Sequence, residues 1–189
     1  MAIPLAVGLA GASSAWADDV SVQLDSGAGF SVKNSTGAIE RLPVEGASGN
    51  VSRNGALFVH TTGTNNLFIG PGAGNTGTSG GGITFSGGNT AVGASALNSI
   101  TNGYFNSAIG FRALEDNTSG FFNSAFGGFA LYSNTTGSHN SAFGAGALLL
   151  NTTGYRNTAS GVGALRSNTV GERNSALGAY ALNLNSDGY

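Results

Sequence analysis

The sequence has no cysteine, which excludes disulfides, thiol redox chemistry and thiolate metal sites together. Charge is nearly as scarce. Only 8% of residues are charged, against roughly 25% in ordinary globular domains. The formal net charge of −2 offers no basic stripe, so nucleic acid is not an expected partner. This is not the composition of a charge-expanded disordered chain, because 40% of residues are apolar and available for burial. Long hydrophobic runs are missing too. The one apolar run, near the N-terminus, is about ten residues where a bilayer span needs about 20, so we expect no membrane insertion by this segment. What the chain has in quantity is glycine: 33 of 189 residues, without the every-third-residue spacing of collagen. The length by itself suits a single domain.

Residues 1–17, MAIPLAVGLAGASSAWA, carry no charge and end in Ala15-Trp16-Ala17, an A-x-A-like cleavage site behind an apolar run and small residues. We read them as a secretory signal peptide whose positively charged front is missing; the alternative is a buried N-terminal strand. Export would make the mature chain, from Asp18 onward, a secreted or cell-surface protein.

A seventeen-residue period organises the rest. Six units start at Asn89, Asn106, Asn123, Asn140, Asn157 and Asn174, with the consensus N-[ST]-A-φ-G-x-x-A-L-x-x-N-T-x-G-x-x, φ being apolar. The opening Asn, the Ala at position 3, the Gly at position 5, the Ala-Leu pair at positions 8 and 9 and the Gly at position 15 recur in all six. A partial unit, Asn66 to Ala73, lies 23 residues before Asn89, so a six-residue insertion is expected around Thr78 to Gly87. Upstream, residues 18–63 alternate in places (Val20–Leu24, Phe30–Lys33), with a hairpin turn expected at Asn34–Gly37, and read as a small β-rich leader. The expected order is therefore signal peptide 1–17, leader 18–63, irregular first repeat 64–88, and six solenoid repeats over 89–189. The last unit stops at Tyr189 without a polar cap, and we expect the natural protein to continue beyond it, the alternative being a partner chain that covers the end.

A unit this short cannot bury its own apolar residues, so units must stack. The expected fold is an all-β solenoid, a parallel β-roll with strands roughly 4.8 Å apart and a rod on the order of 25–30 Å long. Each unit should hold a strand over N-[ST]-A-φ-G, then either a short helical turn or a second strand over G-x-x-A-L-x-x-N. Stacking turns repeat positions into columns. The alanines at position 3 face inward. Val92, Ile109, Phe126, Phe143 and Leu177, interrupted by Ser160, form one apolar column, and Leu97, Leu114, Leu131, Leu148, Leu165 and Leu182 form another. Glycine at position 5 allows positive φ. Asn at positions 1 and 12 can form ladders of amides up the stack.

Asn106-Ser107-Ala108-Ile109-Gly110 followed by Ala113-Leu114 resembles the head repeats of YadA-like trimeric autotransporter adhesins. It is also similar to repeats of phage tail-fibre-type surface proteins, which often end in an endosialidase-type chaperone domain. The resemblance covers residues 66–189 and implies a left-handed β-roll, assembled as a homotrimer, that presents a surface to a host glycan or protein.

No motif for chemistry survives inspection. Gly72-Ala73-Gly74-Asn75-Thr76-Gly77 matches a dinucleotide fingerprint, yet no acidic residue follows until Glu115, so turn glycines explain it and no cofactor is expected. His60 and His139 are the only histidines, and serines recur as ladder residues, so no hydrolase triad is expected. Glu115 and Asp116 are sequence neighbours, poorly placed for a glycosidase pair. Five aspartates in all, none kept by the repeat, argue against calcium or other metal sites. Sequons at Asn34, Asn50, Asn117, Asn134 and Asn151 follow from the repeat's composition. We expect no enzyme. Positions 16 and 17 carry Tyr104, Phe105, Phe121, Phe122, Tyr155 and Tyr189 with Arg156 and Arg173, a column suited to a subunit interface, an inner core or a ligand face. The expected role is an adhesin head or fibre shaft; the alternative is an ice-binding solenoid using the Ser/Thr rows at positions 2 and 13.

Overall fold

The computed structural model describes residues 21–25, 29–33, 51–53, 56–61, 65–74 and 87–188. The chain divides into two compact units, residues 1–60 and 61–189. In the first, β1 (Ser21–Asp25) and β2 (Gly29–Lys33) pair antiparallel, Ser21 opposite Lys33. β3 (Val51–Arg53) and β4 (Ala56–His60) pair likewise, with a register shift after Val51. The signal-peptide segment, the turn at 34–37 and the sequons at Asn34 and Asn50 lie outside the described residues.

The second unit is a β-solenoid. Its strands are β5 (Leu67–Ile69), β6 (Thr90–Val92), β7 (Ser107–Ile109), β8 (Ser124–Phe126), β9 (Ser141–Phe143), β10 (Thr158–Ser160) and β11 (Ser175–Leu177). They lie parallel in chain order, one per repeat, with like positions opposed: Ala108 faces Ala125, and Ala125 faces Ala142. Phe68 pairs with Ala91, so the six extra residues of the first repeat leave the register intact. The insertion itself, 78–86, is outside the described residues, while Gly87 already occupies position 16 and accepts the Phe105 N–H at 3.3 Å.

The segment after each strand is neither the helical turn nor the second strand that the Ala-Leu pair suggested. It is a run of turns. The position-8 N–H donates to the position-5 carbonyl (Ala130 to Gly127, 3.2 Å), and the position-12 N–H to the position-9 carbonyl (Asn134 to Leu131, 3.1 Å). Between these turns the backbone bonds to neighbouring coils, Phe129 N–H to Phe111 O at 2.8 Å on one side and Leu131 N–H to Ala147 O at 3.0 Å on the other. The coils are thus hydrogen-bonded well beyond their three-residue strands.

The sign of φ explains why no regular element forms. Position 5 is glycine with φ near 136° in Gly127, and φ is positive again at positions 7 and 9, 59° in Phe129 and 52° in Leu131. For a leucine the left-handed region costs roughly 1–2 kcal/mol. Burying the leucine side chain returns about 1.5–3 kcal/mol, and the position-9 leucines from Leu97 to Leu165 are wholly buried. Burial wins, and the strain is tolerated at every coil. Position 5 has no such freedom: a Cβ on Gly127 would lie 2.6 Å from the Gly144 carbonyl carbon of the next coil.

The core is narrow. Alanines of positions 3 and 8 and leucines of position 9 fill it. The apolar column at position 4 lies on the outer side of the sheet. Ile109 is 41% and Phe143 45% exposed. A strand alternates its side chains, so an inward position 3 forces positions 2 and 4 outward.

Two amide ladders line the rest of the interior. At position 1 the Oδ1 of each Asn accepts the backbone N–H of the next, Asn106 to Asn123 and Asn123 to Asn140 at 3.0 Å. At position 12 the Nδ2 of Asn134 donates to Asn117 Oδ1 at 2.7 Å, and Asn151 to Asn134 at 2.8 Å. The Gly137 carbonyl accepts both Asn123 Nδ2 (2.8 Å) and Asn134 Nδ2 (2.9 Å). Among the described residues no buried side-chain polar atom lacks a partner, which is how so polar an interior is stable.

Candidate binding surface

Three exposed features stand out on the solenoid. The first is the outer face of the sheet. Position 2 supplies Thr90, Ser107, Ser124, Ser141, Thr158 and Ser175, position 4 the apolar column already described, and neither column holds a charged residue. Phe126 and Phe143 stack at 5.2 Å with planes 9° apart.

The second is the column at positions 16 and 17. It is not an inner core: Phe105 is 56% and Phe122 48% exposed. The Tyr104 and Phe121 rings stack at 4.8 Å, 3° from parallel, and Phe105 on Phe122 at 5.2 Å. His139 continues the row, its ring 5.3 Å from Phe122. Further along, two guanidinium groups approach the Tyr155 ring, Arg156 at 5.6 Å and Arg173 at 5.4 Å. Arg173 Nη2 donates to the Tyr155 hydroxyl at 3.2 Å, and Arg173 Nη1 is 3.6 Å from Glu172 Oε2. Hydrogen bonding to Glu172 and partial desolvation hold the Tyr155 phenol above its ordinary pKa, with Arg173 and Arg156 pulling it down. Backbone bonds from position 17 to position 16 of the preceding coil keep the row in line, Phe122 to Tyr104 at 3.1 Å and Arg173 to Tyr155 at 3.0 Å. Tyr189 lies outside the described residues.

The third is a cluster around Arg112 that the repeat consensus gave no reason to single out. Its guanidinium pairs with Glu115, donates to Tyr132 Oη at 3.1 Å and lies 5.8 Å from the Phe129 ring and 4.9 Å from the Tyr132 ring. Positions 6, 7 and 10 vary from coil to coil, and Phe111, Arg112, Glu115, Phe129 and Tyr132 fall on two adjacent coils, which is the signal a column-by-column reading could have used. Glu115 is therefore committed to Arg112. Burial, then the neighbouring Glu115, raises the Asp116 carboxyl above its ordinary pKa, with Arg112 opposing.

Other candidates are absorbed by the fold. Asn117, Asn134 and Asn151, the sequon asparagines, are fully buried, with Nδ2 of Asn134 and Asn151 in the ladder and that of Asn117 on the Gly120 carbonyl at 3.1 Å. Gly72 and Gly74 adopt positive φ, 67° and 60°, while residues 75–77 of the dinucleotide-like motif are outside the described residues. The position-13 hydroxyls donate to the carbonyl of the next coil, Thr118 to Thr135 at 3.1 Å and Thr152 to Thr169 at 3.0 Å. Among the described residues no group of three or more His, Cys, Asp or Glu is placed to hold a metal ion, and no helix is long and apolar enough to cross a membrane. No protein-family model, no curated protein and no solved structure matches the chain.

Proposed function

We propose that the chain is the repeat segment of a secreted or surface-displayed fibre or adhesin head, assembled as a homotrimer, whose role is to hold a binding face away from a cell or virion. The observation that carries the reading is the outer face of the sheet. Columns 2 and 4 offer an uncharged surface of hydroxyl and apolar side chains, rising coil after coil, with none of the lysines or inward-pointing charges that keep a solvated sheet from associating. Copies of the same chain supply the matching uncharged surface, and a stacked rod presents it over its whole length. The adhesin-like repeat motif and the export-type N-terminal segment support the same reading. For the ice-binding alternative the position-13 hydroxyls are already donors within the stack, which leaves it the position-2 row alone. Protease shaving and immunolabelling of intact producing cells or particles test the proposal. The chain should be labelled and cleaved from outside; a chain confined to the cytoplasm would contradict it.

A further inference from the structure

The position-17 row carries side chains that the backbone does not favour. Phe105, Phe122, His139, Arg156 and Arg173 all have left-handed φ, between 52° and 61°. Each costs roughly 1–2 kcal/mol relative to glycine, and unlike the leucines of position 9 these side chains are exposed, so burial does not offset it. Stacking between neighbours recovers only about 0.5–1.5 kcal/mol per pair. The irregular first repeat places Gly88 at this position, φ 83°, so the fold accepts the unstrained residue. Strain kept at exposed positions where glycine fits is a mark of function.

Resting on the surface-display reading above, we infer that this row is a binding track for an acidic glycan, laid along the stack. The chemistry is divided along its length. Phe105 and Phe122, stacked on one another at 5.2 Å, present a continuous apolar strip of exposed ring edges to the apolar faces of sugar rings. Arg156 and Arg173, one coil apart, face outward beside Tyr155, and among the described residues no carboxylate is within ion-pair distance of Arg156. Guanidinium groups bind carboxylate or sulfate through paired N–H donors. Coil spacing of roughly 4.8 Å repeats the row at about the length of a pyranose unit. A subunit interface is a poorer occupant for this row, since it would bury the Arg156 guanidinium without a carboxylate partner. Nucleic acid fits less well as well: its phosphates follow at one charge per ~1.7 Å of duplex, and a chain of net charge −2 with two arginines here repels such a density.

The test is calorimetric or fluorescence titration of the full chain with a short oligogalacturonate, against neutral maltohexaose and single-stranded DNA. Arg156→Gln, Arg173→Gln and Phe122→Ala variants are compared, with solution mass and melting measured on the same samples. The expected result is binding of oligogalacturonate but not maltohexaose. It should weaken about tenfold in the double arginine variant, with melting unchanged, and about threefold to tenfold in Phe122→Ala, with melting lowered only by the lost stacking. Four results overturn the inference: no binding by the folded chain, binding undiminished in the variants, equal binding of maltohexaose, or tighter binding of DNA. A monomeric mass for the natural chain with glycan binding retained would contradict the assembly reading and leave the track standing.

Discussion

Single positions in this solenoid are under opposed demands, and the balance can be read from φ. Leu131 sits in the left-handed region at 52° with its side chain wholly buried. Leu131→Ala should cost about 2–5 kcal/mol from the cavity it leaves. Leu131→Gly removes more side chain yet relieves the backbone, so it should be no worse than alanine, the reverse of the usual order in which glycine trails by roughly 0.5–1 kcal/mol. Denaturant midpoints of the two variants check this; a clearly less stable glycine variant would contradict the strain argument. Asn134→Ala leaves Asn117 Oδ1 without the amide it receives and takes the acceptor from Asn151. It should cost about 1–3 kcal/mol, and an unchanged melting curve would show the ladder to be decorative. Asp116 gives a pH-dependent case. Its folded pKa is raised by burial, so the fold favours its protonated form, and stability falls as pH rises from the ordinary carboxyl pKa through the folded one. Asp116→Asn should therefore raise the melting temperature at pH 7 and much less at pH 3. An equal shift at both would contradict the assignment.

Among the elements, the strands were legible and the turns were not. N-[ST]-A-φ-G marked every strand from β6 to β11, and the 23-residue spacing gave the register of β5, because identical units must stack like on like. The reading failed at G-x-x-A-L-x-x-N. Positive φ is usually announced by Gly or Asn; here Leu adopts it at position 9, and Ala-Leu read by propensity points to helix or strand. The apolar column at position 4 was legible in the repeat, and the inward alanines at position 3 fix the alternation that turns it outward. In sequence the 16/17 column suits a subunit interface, an inner core or a ligand face, and the left-handed backbone of its position 17 has no sequence signature. Because contacts run between like positions of adjacent coils, the unit of structure is the repeat. Removing residues 123–139, one whole unit, should leave a folded, shorter solenoid with a modest loss of stability. Removing 124–139 shifts every later ladder by one position, turning inward alanines out, and should abolish cooperative melting. Circular dichroism melts of the two deletions distinguish these outcomes; equal behaviour would contradict register-controlled stacking.

For the whole molecule, the account rests on where the uncharged outer face of the sheet goes. A solvated sheet face in a protein with 8% charge has little to keep it from self-association, and the proposed assembly removes it from water. Replacing Ile109 and Phe143, both outward and at 41% and 45% exposure, by aspartate leaves the coil core untouched, so it separates assembly from folding. The most direct measurement is the solution mass of the chain by light scattering after size-exclusion chromatography, beside the Ile109→Asp/Phe143→Asp variant. The account predicts three times the chain mass for the natural sequence and a folded monomer for the variant. A folded monomer from the natural sequence, or a trimer undisturbed by the two aspartates, would contradict it.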